Sequence, residues 1–477
     1  MIEKFSELNN PEMWYDQATM TTLRGWFGQT RKCPACNRVH SLHTRMMESD
    51  KNIAMNIGQY LAVLGFRGSC LDVMDERTKD AAGDALKQGL AAFRPKAVVY
   101  TRRDLHADEQ ALGTLLMGLR DKPNFLFSCG SGTLTDITRY NSFITGIPFV
   151  AFATAASVDG FASGSTPLLV NGFKTTYPGV APEAIFYDPY VLAAAPQKMT
   201  AAGFGDILAK VIALLDWRLA YTVEDEAYCP LIAALVDRAV EDCLNLAGDL
   251  AVPSGQTTPD QLKKRAAASG RLMEILALTG MAMQMMGSTR PASGGDHHIS
   301  HLLEMRDIQM EREGSLHGDK VGIGTLISMV MYQKLFAGSA MPRQRPVLAA
   351  DIWEKEVRRV YGPLAAHALA TNQPQPPQGD VWDKQKQLLE RAMQTFGFAA
   401  VERFKTLIPL ARDKILAMDG PVRPDQLGYT VQDTYDAIAF GKEVRPKFTI
   451  LRLAERYGWL YDLAEEISAG LPRGDLY

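Results

Sequence analysis

Between residues 50 and 195 short apolar runs alternate with stretches of helical periodicity, and no other feature of this chain narrows its fold as much. Helices expected at 51–65, 78–93, 107–120 and 133–145 lead in turn into GSCLDVMD, KAVVYT, NFLFSCGSG and IPFVAFAT. A strand that is apolar at nearly every position must be covered on both faces, and the short connections suit crossover helices. The βαβα alternation therefore predicts a Rossmann-like α/β domain with a parallel sheet over 1–195, carrying an N-terminal extension at 1–50. After about residue 196 the strand signals stop. GFGDILAKVIALLDWRLAYTV, CPLIAALVDRAVEDCLNLAG and TPDQLKKRAAASGRLMEILALTGMAMQMMG read as amphipathic or buried helices. Further helices are expected at 297–311, 322–337, 351–370, 381–417, 430–440 and 450–469, with loops at 249–260 and in the Pro/Gln-rich 371–380. Residues 196–477 are thus expected to form an all-α bundle domain.

A length of 477 residues suits two such domains. The net charge of −3, from 51 basic and 54 acidic side chains, recommends neither nucleic acid nor an anionic membrane as partner. No run approaches a membrane-spanning length, and the polar, acidic start MIEKFSELNNPEMWYDQ is unlike a secretory signal. Cys33, Cys36, Cys70, Cys129, Cys229 and Cys243 are few for this length, which fits reduced thiols in a cytoplasm.

Three patterns carry chemistry. In NFLFSCGSGTLTDITRY a buried strand passes through Gly130-Ser131-Gly132-Thr133 into a helix, whose first N–H groups and positive dipole end suit a dinucleotide pyrophosphate or, failing that, a plain tight turn. Asp75, closing the strand CLDVMD, is placed either for adenosine ribose hydroxyls or as the N-cap of the helix that follows. Four of the eight histidines lie at 297, 298, 301 and 317. His297 and His301 share a helix face while His298 points elsewhere, and His317 joins them if its loop folds back. Two histidines and a carboxylate make a three-ligand metal site with an open position. Asp206, a lone acid at an apolar helix start, is the candidate carboxylate; as alternatives, Asp206 is a first-turn acid and Asp296 an N-cap.

GSGTLTDITRY, FATAASVDGFAS, GFGDILAK, SGGDHHISH and HGDKVGIGTL, in this order over about residues 50–335, resemble the sn-glycerol-1-phosphate dehydrogenases of the iron-containing alcohol dehydrogenase and dehydroquinate synthase superfamily. The GSG in place of GGG and the long C-terminal part are similar to the bacterial members. The resemblance implies a dehydroquinate synthase-like fold and NAD(P)-dependent reduction of dihydroxyacetone phosphate to sn-glycerol 1-phosphate. It implies one divalent metal ion, zinc first and nickel or iron as alternatives, on Asp206, His297 and His317. Cofactor contacts would come from Gly130, Gly132, Thr133, Leu134, Thr135 and Asp136, from Thr154, Ala155, Ala156 and Ser157, from Ser163, and from Asp75. Asp159 and His301 would touch substrate and carry the catalytic roles, with Asp206 beside them and Lys210 either on the substrate phosphate or merely a solvated helix lysine. His298 would be a bystander. Substrate would sit between the domains, its C2 carbonyl polarised by the metal. Asp75 would favour NAD over NADP, softened by Arg77 and Arg102. The expected partners are this small-molecule substrate, no nucleic acid and no membrane span, with a homodimer or higher homo-oligomer as the assembly.

RKCPACNRVHSLH sets Cys33, Cys36, His40 and His43 in a C-x2-C-x3-H-x2-H array. The spacing is tighter than in zinc fingers, so a plain β-hairpin is the first reading and a second structural metal the other. Two other readings stay beside the dehydrogenase: a glycerol or other polyol dehydrogenase, which would not need substrate phosphate, and a non-catalytic binding protein on this fold.

Overall fold

The computed structural model describes residues 18–102, 104–171, 173–253, 258–312, 314–336, 348–372 and 379–474. The acidic start and parts of the loops expected at 249–260 and 371–380 lie outside the described residues. Helices used below are α1 (Ile53–Val63), α2 (Glu109–Gly118), α3 (Gly132–Thr145), α4 (Gln197–Leu208), α5 (Lys210–Glu224), α6 (Pro259–Met286), α7 (Gly295–Gln309) and α8 (His317–Phe336). Among the described residues no helix is long and apolar enough to cross a membrane.

Residues 19–207 and 241–288 form one compact unit. After a short helix, Met20–Arg24, comes an antiparallel hairpin of β1 (Gln29–Lys32) and β2 (Val39–Leu42). The centre is a six-stranded sheet of β3 (Met46–Ser49), β4 (Cys70–Asp75), β5 (Lys96–Tyr100), β6 (Phe125–Gly130), β7 (Phe149–Ala153) and β10 (Ala184–Tyr187). Their order is β3-β10-β7-β6-β4-β5 and every pairing is parallel, as the alternation required. The remaining strands, β8 (Ser165–Val170) and β9 (Phe173–Pro178), make a second antiparallel hairpin. Strands β6 and β7 are buried at every position, the physical origin of their unbroken apolar runs. Within β6, Phe125 and Phe127 pack with Ile57 and Leu61 of α1 on one face, while Leu126 packs with Leu115 of α2 and Ile137 of α3 on the other.

The alternation placed the core strands and α1, α2 and α3 well. The expected helix at 78–93 is broken instead: Glu76–Thr78, a wider turn at Lys79–Gly83, then Asp84–Gly89. Strands β3 and β10 escaped the sequence reading because each has only four residues.

Asp72 is buried in the middle of β4, and burial pushes its carboxyl up to about 8. A carboxyl raised in the fold binds its proton more tightly there than in the unfolded chain, so it costs most where it must ionise. Between pH ~4 and pH ~8 the penalty grows by roughly 1.4 kcal/mol per pH unit. Asp72→Asn removes this dependence. Thermal melts should show the variant gaining on the parent as pH rises from 5 to 8.5; parallel curves would show that Asp72 is not the titrating group.

Residues 208–240 and 289–474 belong to the second unit, which is helical. The segment read as one helix through GFGDILAKVIALL ends at Leu208 and restarts at Lys210. Helix α8 begins at His317, not at 322, and the helix expected over 351–370 breaks at Gly362, whose φ is +51°. In this unit α7 and α8 pack with backbone in contact: a Cβ on Gly324 would stand 2.4 Å from the carbonyl oxygen of Asp296. C-terminal segments hold α7 in turn. Tyr429 Oη donates to Asp307 at 2.6 Å and Arg306 Nε to Asp433 at 2.7 Å. Behind them the buried Glu443 carboxylate accepts from Trp353 Nε1 at 2.9 Å and Arg452 at 3.0 Å, and pairs with Lys442. A buried carboxylate with this many donors stays ionised, and removing one partner would leave charge uncompensated. Residues after 348 therefore serve to seat the histidine-bearing helices.

Candidate active site

The chain leaves β4 to form β5 on one side of it, then returns to form β6 on the other. Loops after β4 and β6 consequently diverge at their carboxyl ends, the place where open parallel sheets bind ligands. Gly130 ends β6, and Ser131 is the N-cap of α3 yet makes no side-chain capping bond. The first-turn amides of Gly132, Thr133 and Leu134 thus face the crevice without a side-chain cap, as an anion site needs. Asp75, at the end of neighbouring β4, does cap its short helix: Oδ1 accepts from Thr78 N at 2.8 Å, while Thr78 Oγ1 bonds back to Asp75 N at 3.0 Å. A ribose contact would fall to Oδ2. Arg102 is tied to Asp108 at 2.6 Å and Asp104 at 3.3 Å, so it is committed elsewhere.

Segment Thr154–Ser157 follows β7 and is buried throughout. Helix α4 lies on it so closely that a Cβ on Gly203 would come within 2.1 Å of the Ala156 carbonyl oxygen. That contact aligns Asp206, one turn on, with the short helix Asp159–Ala162, and Asp159 N donates to Asp206 Oδ2 at 2.9 Å. Asp206 is not a first-turn acid: it lies in the last turn of α4, where the helix dipole opposes a carboxylate. Fully buried there, it has to be held by donors or a cation. Ser163 Oγ is engaged with Ser165, accepting from its N at 3.1 Å. Sequence reading missed Arg139. This buried α3 side chain pairs with Asp136 at 2.5 Å and donates to the carbonyls of Gly160 at 2.5 Å and Phe161 at 3.0 Å, tying α3 to the Asp159 turn.

The three histidines His297, His301 and His317 lie in the helical unit, with ring centroids 5.5 to 5.9 Å apart in a triangle. Each offers Nδ1 to a carboxylate. His297 Nδ1 bonds to Asp296, His301 Nδ1 to Glu304 at 3.0 Å, and His317 Nδ1 to the same Glu304 at 2.7 Å. Since a carboxylate only accepts, Nδ1 carries the proton in each ring and Nε2 is the nitrogen that would bind a metal or substrate. Carboxylates behind imidazoles in this way orient ligands and raise their basicity. Burial holds His301 down, to about 4, so it is neutral at neutral pH. Asp296 is no N-cap, since that position is Gly294. The start of α7 is capped from another helix: Asp216 of α5 accepts from Gly295 N at 2.7 Å, from Ile450 N at 2.9 Å and from Tyr332 Oη at 2.5 Å.

Glu304 was legible only as an i+3 neighbour of His301, and no local rule links it to His317. Glu304→Gln offers one oxygen to two ring N–H groups and turns an amide N–H toward one of them. Metal affinity should fall by about ten- to a hundredfold. Competition with a chelating dye measures this, and a change below about twofold would remove Glu304 from the ligand-orienting role.

Lys210 is fully buried, which disposes of the solvated-lysine reading. His298 is buried as well, and burial among Lys447 and Arg445 holds its imidazole far below the usual range. In the N-terminal hairpin Cys33, Cys36 and His40 come together, whereas the exposed His43 stands apart.

Residues 48–196 match the profile of the iron-containing alcohol dehydrogenase family. A glycerol-1-phosphate dehydrogenase (NAD(P)+) of Bacillus licheniformis is 32% identical over 365 residues, covering 73% of this chain and 88% of that protein. One from Geobacillus thermodenitrificans is 36% identical, covering 59% of this chain and 69% of that protein. A relative of the same name from Thermococcus kodakarensis is 27% identical over 62% of this chain and 80% of its own length. Among solved structures, 1,3-propanediol oxidoreductase superimposes with a TM-score of 0.57 at 16% identity, covering 90% of this chain and all 100% of that one. Glycerol dehydrogenase from Schizosaccharomyces pombe gives 0.54 at 14% identity, with 91% and 95% covered. These two likenesses speak for the fold alone.

Proposed function

The chain belongs to the glycerol-1-phosphate dehydrogenase family, and from that premise we propose that it reduces dihydroxyacetone phosphate to sn-glycerol 1-phosphate, using NADH or NADPH and one divalent metal ion. The observation that carries the reading is the imidazole triangle with a carboxylate behind every ring, a donor set prepared for a metal.

Asp206, His297 and His317 would hold the ion, zinc before nickel or iron. Their one oxygen and two nitrogen donors fit such a metal. When bound, the metal polarises the C2 carbonyl and the reduced nicotinamide supplies hydride. The rest falls to the chain's own groups. The first turn of α3 would receive the pyrophosphate, with Gly130 and Gly132 to Asp136, Thr154 to Ser157 and Ser163 around the cofactor. Asp75 Oδ2 would take ribose hydroxyls and so favour NAD over NADP. Asp159 would hold a substrate hydroxyl, and its backbone bond to Asp206 sets which face of C2 is presented. His301, whose Nδ1 proton is held by Glu304, would take a proton from water at its free Nε2 and hand that same proton to the substrate oxygen, the Glu304 carboxylate stabilising the transient imidazolium. Lys210 would neutralise the substrate phosphate. Cofactor binding is assigned to 1–195 and metal and substrate binding to 196–477, with the chain working in the cytoplasm as a homodimer or larger homo-oligomer.

The test is NADH oxidation by metal-reconstituted protein with dihydroxyacetone phosphate, run beside unphosphorylated dihydroxyacetone, with chiral analysis of the product. Phosphate-dependent turnover to the 1-phosphate is expected. Equal turnover of the free ketone would move the protein to the polyol dehydrogenases, and no turnover with cofactor and metal bound would sink the substrate assignment.

A further inference from the structure

The N-terminal hairpin holds a second donor cluster that the reaction does not use. The chain runs from β1 through Cys33-Pro34-Ala35-Cys36-Asn37-Arg38 into β2. Cys33 N donates to Arg38 O at 2.8 Å and Asn37 N to Cys33 O at 2.9 Å. Asn37, at φ +59°, takes the left-handed conformation that reverses the chain, which asparagine tolerates better than most residues. This tight turn gathers the two thiols with His40 of β2, so that the ligand atoms of all three lie within 4.8 Å of one another.

His40 is set up as a ligand. Its Nδ1 is 2.7 Å from the carbonyl oxygen of Met285, near the end of α6, and a carbonyl can only accept. Nδ1 therefore carries the proton, and Nε2 faces Cys36 Sγ at 3.2 Å. An imidazole and a thiolate bound to one tetrahedral zinc ion stand roughly 3.6 Å apart. His40 is buried, at 3% exposure, beside the fully buried Cys33, an uncommon setting for an imidazole on a two-stranded hairpin. A backbone carbonyl behind a ring N–H is the common outer-sphere support of a zinc-bound histidine.

We infer that Cys33, Cys36 and His40 form a structural zinc site, distinct from the one assigned to the reaction, completed by a fourth donor from outside the hairpin. Binding releases one proton from each of the two thiols to solvent, so two thiolates and a neutral imidazole hold the dication. The site staples the hairpin to the end of α6. There Gln284, next to Met285, donates to Thr44 Oγ1 at 3.0 Å and to the carbonyl of Ala162, at the end of the Asp159 turn. The zinc thereby braces the helix that supports the substrate-binding turn without touching substrate.

Cobalt substitution of the full-length protein decides the matter. Asp206, His297 and His317 offer only oxygen and nitrogen, so a near-ultraviolet thiolate-to-cobalt charge-transfer band reports the hairpin site alone. The band should appear in the parent and persist in His297→Ala, which as isolated should keep about one zinc per chain. It should vanish in Cys36→Ser and return, weakened, in Cys36→His, which restores a donor. Serine variants of each of the other four cysteines, read by band intensity, show whether the fourth donor is a thiolate. Cobalt-loaded parent protein without the band would overturn the inference whether or not any variant folds. So would a Cys33–Cys36 disulfide found by mass in freshly purified protein, or His297→Ala that retains no zinc. None of these readouts uses turnover, so the site stands or falls independently of the proposed reaction.

Discussion

Replacement of His297 by alanine is expected to cut kcat/KM with dihydroxyacetone phosphate by at least about a thousandfold, while NADH affinity stays within about twofold. The two halves of the forecast come from different parts of the molecule. His297 sits in α7, with its Nδ1 held by Asp296, and its removal deletes one of two nitrogen donors proposed for the metal. Cofactor binding is proposed for the uncapped start of α3 and for Asp75, which lie in the α/β unit and are untouched by the change. Steady-state kinetics beside NADH fluorescence titration separates them. A variant with both lost has misfolded; one with near-normal turnover would show that His297 is not a ligand.

Asp206 offers a sharper pair, because its carboxylate has two jobs that asparagine divides. Asp206→Asn keeps an oxygen able to accept from Asp159 N but loses the negative charge proposed for the metal. Activity should fall by about a hundred- to a thousandfold, through weaker metal binding and a less polarised carbonyl. The metal-free melting temperature should barely move. Asp206→Ala also strands a buried N–H, at a cost of about 1–3 kcal/mol, and should melt several degrees lower. Differential scanning fluorimetry with and without added zinc reads both effects. Retention of more than about a tenth of the activity in Asp206→Asn would remove the carboxylate from the metal site.

Both substitutions concern residues that could be picked out by reading along the chain, and the reason is local. Parallel strands advertise themselves as apolar runs because they are covered on both faces, and the Gly130-Ser131-Gly132 turn by its position between a buried strand and a helix. His297 and His301 share a face through helical spacing alone. Such features depend on neighbours a few residues away, so a linear pattern carries them.

Other features depended on partners that no spacing rule predicts. Glu304 earns its place by bonding His301 on its own helix and His317 on the next. Arg139 looks like any helix arginine until its guanidinium is seen on the carbonyls of Gly160 and Phe161. Asp216 caps α7 from 79 residues away. In Cys33-x2-Cys36-x3-His40-x2-His43 the spacing lined up four donors, and folding gathers only three of them, since His43 lies beyond the end of β2 and faces solvent. Lys210 shows the same limit in burial: its helical position is compatible with solvent, and only packing encloses it. Local order and chemical type were written in the linear chain. Which charge neutralises which, and which donor is desolvated beside which acceptor, followed from contacts between distant segments, since a buried polar group is tolerated only where folding brings it a partner.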